Sequence, residues 1–419
     1  MRVLISAISC RPDLGSEARV GWNAANAIAE GHECHVVTHG EGRAAIEAAQ
    51  ARGEAAGVTF HYLGEPFRWH PNRLVARLQS WLVYRRWQEQ LLPLARELHA
   101  KHRFDLTHHV TYVTWRVPSP LWRLPVPFIW GPIGGTATLP RAFRGMLSPA
   151  ARAFEVARDI SGAAAVRSGG FRECAQRAAL VLAANGETAD FFAKFRPQGP
   201  IRQLPPVFFT PAQVSPLAAA MDRRPPAGGV LRLVAGGNLE GRKGVRLALR
   251  AIASLRGRGP AVHYTFAGSG PELAALRTEA AVLGIAGQVT FHPGFSGAEY
   301  VDQLAASDVY LLPSFRETTP ITLLEAILAG CYPVVADASG AGEIVRQVGG
   351  HAVQATDPDT LVAGLADALR WCDANRTEMR TTAAAASRSV EKLFSRARYN
   401  ASIDSFYAET LDAAHGVQT

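Results

Sequence analysis

The chain has 419 residues, 48% of them hydrophobic and 19% charged, with a formal net charge of +8. That length suits two domains with cores of their own, and the lack of any run of 18 apolar residues argues against a transmembrane helix. Cys10, Cys34, Cys174, Cys331 and Cys372 are odd in number and form no C-x-x-C pair, which fits free thiols in a reducing cytosol and argues against a zinc site. The opening residues 1–9 have a short apolar core that runs into Cys10-Arg11-Pro12-Asp13, so they read as a buried strand and not as a secretion signal. The basic excess could serve nucleic acid, an anionic membrane surface or an anionic substrate. Nothing like a nucleic-acid motif accompanies it.

In chain order, strands are expected over 3–8, 35–38, 58–62, 106–110, 128–130, 181–184 and 201–205, with helices over 17–29 and 71–102. The stretch from Glu65 to Arg123 holds Arg68, Arg73, Arg77, Arg85, Arg86, Arg96, Lys101, Arg103, Arg116 and Arg123 against only Glu65, Glu89, Glu97 and Asp105. Trp69, Trp81, Tyr84, Trp87, Trp115 and Trp122 are interleaved with them. Such a region suits a helix at a bilayer interface or a solvated face over buried tryptophans, and both stay open. Residues 205–229 lack periodicity and read as an interdomain linker. Strands follow over 231–235, 263–267, 289–292, 309–312 and 334–336, and a last helical stretch over 389–413. This alternation predicts α/β domains with parallel sheets and helices on both faces, with ligands at the carboxyl ends of the strands.

The segment Pro313-Ser314-Phe315-Arg316-Glu317-Thr318-Thr319-Pro320 leads from a strand into the helix over 320–329. Thr319 is the expected N-cap, Pro320 the first helical residue and Gly330 the stop. Glu317 then lies in the loop, whereas Glu325 shares an apolar stripe with Ile321 and Leu328, where an unpaired carboxylate is costly. Its partner is either an arginine or amides within the domain, or a hydroxyl-rich ligand. The order of strand, loop acid, helix start and second acid favours the ligand, because helix N-termini hold phosphates.

With its continuation Gly330-Cys331-Tyr332-Pro333-Val334-Val335-Ala336, this E-x7-E segment resembles glycosyltransferase family 4, the retaining nucleotide-sugar transferases. The resemblance implies GT-B architecture, two Rossmann-like domains facing a cleft. Here these would be an acceptor-side domain over 1–208, a linker over 209–229, a nucleotide-sugar domain over 230–388, and a C-terminal helix over 389–419 packing back across them. It further implies that Glu317 contacts the donor sugar, with Thr318 and Thr319 beside it, and that Glu325 holds the ribose hydroxyls.

Val234-Ala235-Gly236-Gly237-Asn238-Leu239-Glu240-Gly241-Arg242-Lys243-Gly244 is a glycine-rich turn with two cations before a helix, an anion site on physical grounds. It resembles the family's G-R-L-x-x-x-K-G element, so Lys243 would grip the diphosphate. Asn238 stands where the family has arginine, which leaves Arg242 as the candidate second charge. Gly268-Ser269-Gly270-Pro271 resembles the G-x-G-P turn of the nucleotide pocket, and Gly340-Ala341-Gly342-Glu343 reads as a tight turn near the cleft. In the first half, Gly15-Ser16-Glu17 with Val20-Gly21-Trp22, and Trp130-Gly131-Pro132-Ile133-Gly134-Gly135, resemble a bacterial branch. They imply substrate contacts at Gly15, Ser16, Glu17, Gly134 and Gly135. Asp105-Leu106-Thr107-His108-His109 matches D-x-x-H, and either His108 or His109 would reach the donor sugar or acceptor, since neighbours on a strand point to opposite faces.

Asp357-Pro358-Asp359 fits a D-x-D metal pattern but reads as a turn and helix cap. Lys243 and helix N-termini would then neutralise the leaving diphosphate, without metal or cofactor. The expected protein is a cytoplasmic, metal-independent retaining glycosyltransferase. It would move sugar from a nucleotide-diphosphate donor to a glycan or lipid-linked glycan, in bacterial envelope or extracellular polysaccharide synthesis. A peripheral contact with anionic membrane is expected and a nucleic-acid partner is not. A GT-B-fold nucleotide-sugar epimerase or phosphorylase, and a non-catalytic nucleotide-sugar binding protein, are the alternatives. The acid pair together with Lys243 argues against both.

Overall fold

The computed structural model describes residues 1–65, 73–224 and 228–416. Arg68, Trp69 and the expected helix start at 71–72 lie outside the described residues, as do 225–227 of the expected linker. The first sheet comprises β1 (Arg2–Ala7), β2 (Glu33–His39), β3 (Val58–Leu63), β4 (Leu106–Thr111), β5 (Phe128–Ile133), β6 (Leu180–Ala183) and β7 (Ile201–Gln203), ordered β3-β2-β1-β4-β5-β6-β7. Its pairs are all parallel. Val3, Leu4 and Ile5 of β1 are fully buried, as expected of a strand with helices on both faces. The second sheet comprises β8 (Leu231–Gly236), β9 (Val262–Ala267), β10 (Val289–His292), β11 (Val309–Leu312), β12 (Tyr332–Ala336) and β13 (His351–Val353), ordered β10-β9-β8-β11-β12-β13 and again parallel. The short β13 escaped the sequence pattern. Two Rossmann-like α/β units are the fold class of the GT-B proteins.

The chain does not divide by a single cut. The first unit comprises Met1–Thr136, Ile160–Val207 and the chain from Arg396 onward; the second comprises Ala137–Asp159 and Phe208–Ser395. Residues 137–159, expected in the first domain, thus belong to the second. The last helical stretch is two helices, Arg376–Leu393 in the second unit and Arg396–Gly416 in the first. Between them the Phe394 carbonyl accepts from the Phe209 amide at 2.7 Å.

The expected linker also needs correction, since Pro211–Asp222 is a helix. Thr210 and Gln213 form a capping box, and Pro211 occupies the first turn, where its missing N–H costs nothing. Its prolines and alanines had masked that signature.

In the helix Arg73–His102, Tyr84, Trp87, Leu91, Ala95 and Leu98 follow a helical stripe into the core of the first unit. The basic, aromatic region therefore splits. Tyr84, Trp87 and Trp115 are core residues, and Trp122 lies half-buried under Arg123 and Arg177. Trp81 and Leu82 are 45% and 46% exposed, beside exposed Arg85 and Arg86. All five cysteines are buried free thiols. Among the described residues no helix is long and apolar enough to cross a membrane.

Thr210→Ala removes one half of the capping box. It should lower stability by about 1 kcal/mol, read as a shift in the denaturant midpoint with unchanged slope.

Candidate functional site

The strand order turns at β8, whose neighbours are β9 and β11. The loops leaving β8 and β11 are therefore side by side at the carboxyl edge of the second sheet, the usual place for a ligand in such sheets. Their backbones touch. The Arg242 carbonyl accepts from the Phe315 amide at 3.0 Å and from Ser314 Oγ at 3.3 Å. Gly244 has φ +66°, and a Cβ there would run into the Pro313 carbonyl, so only glycine fits. Gly268, after β9, packs as closely on the Gly237 carbonyl.

This packing places Glu317 against the two cations. Lys243 Nζ donates to Glu317 Oε1 at 2.6 Å, Arg242 Nη1 to the same oxygen at 3.3 Å, and Ser314 Oγ at 2.7 Å. Lys243 is buried, at 7% exposure. Burial alone would raise the Glu317 carboxyl, but Lys243 and then Arg242 outweigh it and hold the group below its ordinary range. The loop is fixed from the other side by Ser339, whose Oγ accepts from the Glu317 amide at 2.9 Å, and by the Gly340 amide, which donates to the Glu317 carbonyl at 2.9 Å. Ser339 takes the uncommon φ of +50° to do so. Gly340-Ala341-Gly342 is therefore not a free tight turn but the first turn of the helix Ser339–Val348. A Cβ at 340 would strike the Thr318 carbonyl.

The second acid sits in an opposite setting. The helix Ile321–Leu328 starts one residue later than expected, with Pro320 as its cap. Pro320 keeps an extended ψ of 105°, and its carbonyl accepts from the Leu323 and Leu324 amides. Gly330 ends the helix at φ +77°, as expected of a stop residue. Among the described residues no hydrogen bond or ion pair reaches the Glu325 carboxyl, and burial pushes it up to about 7. Near it the buried Tyr300 hydroxyl is unsatisfied, and the Glu325 charge adds to burial in raising that phenol. Tyr310, hydrogen-bonded to Thr322 at 2.9 Å, is raised by burial and then by both Glu317 and Glu325. Both acids therefore act on one patch of the unit.

Asn238 does not reach the acid. Its Nδ2 donates to Glu240 Oε1 at 2.8 Å, while Glu240 Oε2 takes Arg242 Nε at 2.8 Å. Arg242 thus stands beside Lys243 on Glu317, while Glu240, itself held by Asn238, grips it from behind. Thr318 and Thr319 line the loop after Glu317 and are half-buried. Asp357 caps the helix Pro358–Ala374, accepting from the Asp359 and Thr360 amides. Ser314, Ser339, Glu240 and Tyr300 were not singled out beforehand. Ser314 and Glu240 lie within the two motifs described above, whereas Ser339 shows itself only through its backbone.

In the first unit, Gly15 caps the helix Ser16–Ile28 at φ −83°, and a Cβ there would meet nothing, so the local structure does not require glycine. The Ser16 side chain lies outside the described residues. Glu17 accepts from the Val113 amide at 2.8 Å; burial pushes its carboxyl up to about 7 against that hydrogen bond. Gly134 donates to the Val113 carbonyl at 2.8 Å, and the Gly135 carbonyl accepts from Trp115 Nε1 at 3.4 Å.

The two histidines lie inside the first unit. Both are fully buried. His108 Nε2 donates to the Gly131 carbonyl at 2.6 Å and Nδ1 accepts from Tyr407 Oη at 2.7 Å. His109 Nδ1 pairs with Ser6 Oγ at 2.9 Å, and Nε2 lies 3.3 Å from both Tyr84 Oη and the Tyr112 carbonyl. Burial lowers them to about 4 and about 3, so they stay neutral. Every ring nitrogen of His108 and His109 is thus engaged within the first unit. His108 ties β4 to the C-terminal helix.

Residues 225–386 match the family model for glycosyl transferases group 1. The chain is 28% identical over 320 residues to the D-inositol 3-phosphate glycosyltransferase of Streptomyces griseus, covering 74% of this chain and 60% of that one. Among solved structures, sucrose-phosphate synthase from Thermosynechococcus elongatus superposes with a TM-score of 0.66 at 15% identity, over 98% of this chain and 99% of its own. Anabaena HepE in complex with UDP and glucose gives 0.59 at 18% identity, over 99% and 100%. These structures share the GT-B fold with the chain, which spans less than two thirds of the length of the Streptomyces relative.

Glu325 supplies a prediction with a definite sign. Its folded-state value, about 7, lies above the ordinary 4.5, so the native protein is penalised as pH rises between the two and fully so above 7. Glu325→Gln should therefore stabilise the protein at pH 8, by about 1–2 kcal/mol after allowing for partial exposure, and leave it nearly unchanged at pH 4.5. Chemical denaturation at the two pH values checks this.

Proposed function

We propose that this protein is a retaining glycosyltransferase that uses a nucleotide-diphosphate sugar. The observation carrying this is the convergence of Lys243 and Arg242 on Glu317 where two strand-end loops meet at the turn in strand order. On donor binding the diphosphate takes up Lys243, with Arg242 filling the place where Asn238 departs from the family pattern. Glu317 is released to the sugar hydroxyls and Glu325 takes those of the ribose, each carboxylate accepting hydrogen bonds. The bond from the anomeric carbon to the diphosphate breaks, and the acceptor oxygen bonds that carbon on the same face. The acceptor's proton goes to the departing phosphate oxygen. Lys243, Arg242 and backbone amides at helix starts stabilise the leaving charge without metal. The UDP and glucose held by HepE support a nucleotide-sugar donor. The inositol-phosphate relative supports a hydroxyl-rich acceptor, here a glycan or lipid-linked glycan.

Gly15, Glu17, Gly134 and Gly135 are proposed acceptor-side contacts. A peripheral, cytoplasmic-face membrane association is part of the same proposal, supported by Trp81 and Leu82 standing exposed beside Arg85 and Arg86.

Nucleoside diphosphates and their sugars, screened by thermal shift with divalent cations chelated, test the donor site. At about a hundredfold excess over Kd, a binder should stabilise the native state by about 2.7 kcal/mol. Lys243→Ala should abolish that shift, and its survival would count against the site. Turnover that needs an added acceptor separates a transferase from an epimerase, which would interconvert free nucleotide sugars. For the membrane, the protein should sediment with anionic vesicles and not with neutral ones, and Trp81→Ser/Leu82→Ser should weaken this without changing the nucleotide shift.

A further inference from the structure

The two residues before Glu317 are gripped by a piece of chain from far upstream. Arg316 Nη1 donates to Glu155 Oε2 at 2.6 Å, and the two side chains are only 14% and 6% exposed. The Phe315 ring packs on Phe143 with centroids 4.2 Å apart. Glu155 and Phe143 lie in Ala137–Asp159, the segment between β5 and β6 that belongs to the second unit. The peptide joining 316 to 317 is fixed at both polar atoms: its carbonyl accepts from Arg242 Nη1 at 2.8 Å, and its N–H donates to Ser339 Oγ at 2.9 Å. With that peptide pinned, the direction of the Arg316 side chain bears on how the loop presents the next residue.

We propose that Glu155 is a positioning residue for the Glu317 carboxylate, acting through Arg316. A segment outside the matched 225–386 region thus sets how the site grips a donor sugar. This rests on the donor-site reading above. A buried guanidinium demands an anion. Without Glu155, Arg316 would be a guanidinium without its counter-ion, next in sequence to a carboxylate that Lys243 and Arg242 already share. Glu155 gives Arg316 its own partner and leaves Glu317 to the two cations and the sugar. A sugar contact at Glu317 feels any disturbance directly, whereas a diphosphate on Lys243 feels it far less.

Titration calorimetry with UDP and UDP-glucose, and with GDP and GDP-mannose, tests this on the full chain. Glu155→Gln should weaken the nucleotide sugar about tenfold while leaving the matching nucleoside diphosphate within about twofold. Arg316→Gln should do the same. The double variant should lose no more than either single one, because the two act as one unit. Equal losses for both ligands, or no loss for either, would overturn the positioning role and leave the donor site standing. Wild-type protein that binds no nucleoside diphosphate in the thermal-shift screen would overturn the donor-site reading itself. Should Glu155→Gln fold too poorly to titrate, Phe143→Leu loosens Phe315 without stranding a charge and is judged by the same ratio.

Discussion

A carboxylate taken out of water must be repaid in charge and hydrogen bonds, and the second unit is organised around that requirement at Glu317. Lys243, Arg242 and Ser314 meet one of its oxygens. They can do so only because the strand order brings two loops together and Gly244 lets their backbones touch. The surrounding side-chain charges then balance. Lys243, Arg242 and Arg316 stand against Glu317, Glu240 and Glu155. Under the proposed reading, a diphosphate arriving here finds no side-chain surplus of positive charge. Its attraction rests on backbone amides at helix starts and on cations lent from Glu317.

The two acids of the motif show one residue type made into two different groups. Glu317 is held below its ordinary range, because cations overcome its burial. Glu325 has burial without cations and is half-protonated near neutrality. Pairs of carboxyls pushed apart in this way divide labour between them. The cost at Glu325 is borne by the folded state until something supplies donors to it.

Much of this was legible in the residues. Alternation of apolar runs with helical segments carried both sheets, and Glu317, Glu325, Lys243 and Gly330 stood in a recognisable order. What stayed hidden was what depends on distant contacts. His108 and His109 occupy a strand end that could face a ligand, but Tyr407, some 300 residues on in sequence, satisfies the one ring and Ser6 the other. Residues 137–159 carry no local sign of the unit they join. Their allegiance lies in Phe143 and Glu155 meeting Phe315 and Arg316. Pro211–Asp222 was missed for a local reason: its capping box was present but its prolines suggested a break.

The chain passes between its two units at 136/137, 159/160, 207/208 and 395/396. A fragment cut at the apparent boundary, from Phe208 onward, would therefore not be a whole body. It would carry Lys243 and both acids yet lack Phe143 and Glu155, exposing Phe315 to water and leaving a guanidinium without its counter-ion beside the site. The amino-terminal piece would in turn lack the helix that bears Tyr407, stranding His108. For this protein, dissection at the midpoint removes a keystone from each half.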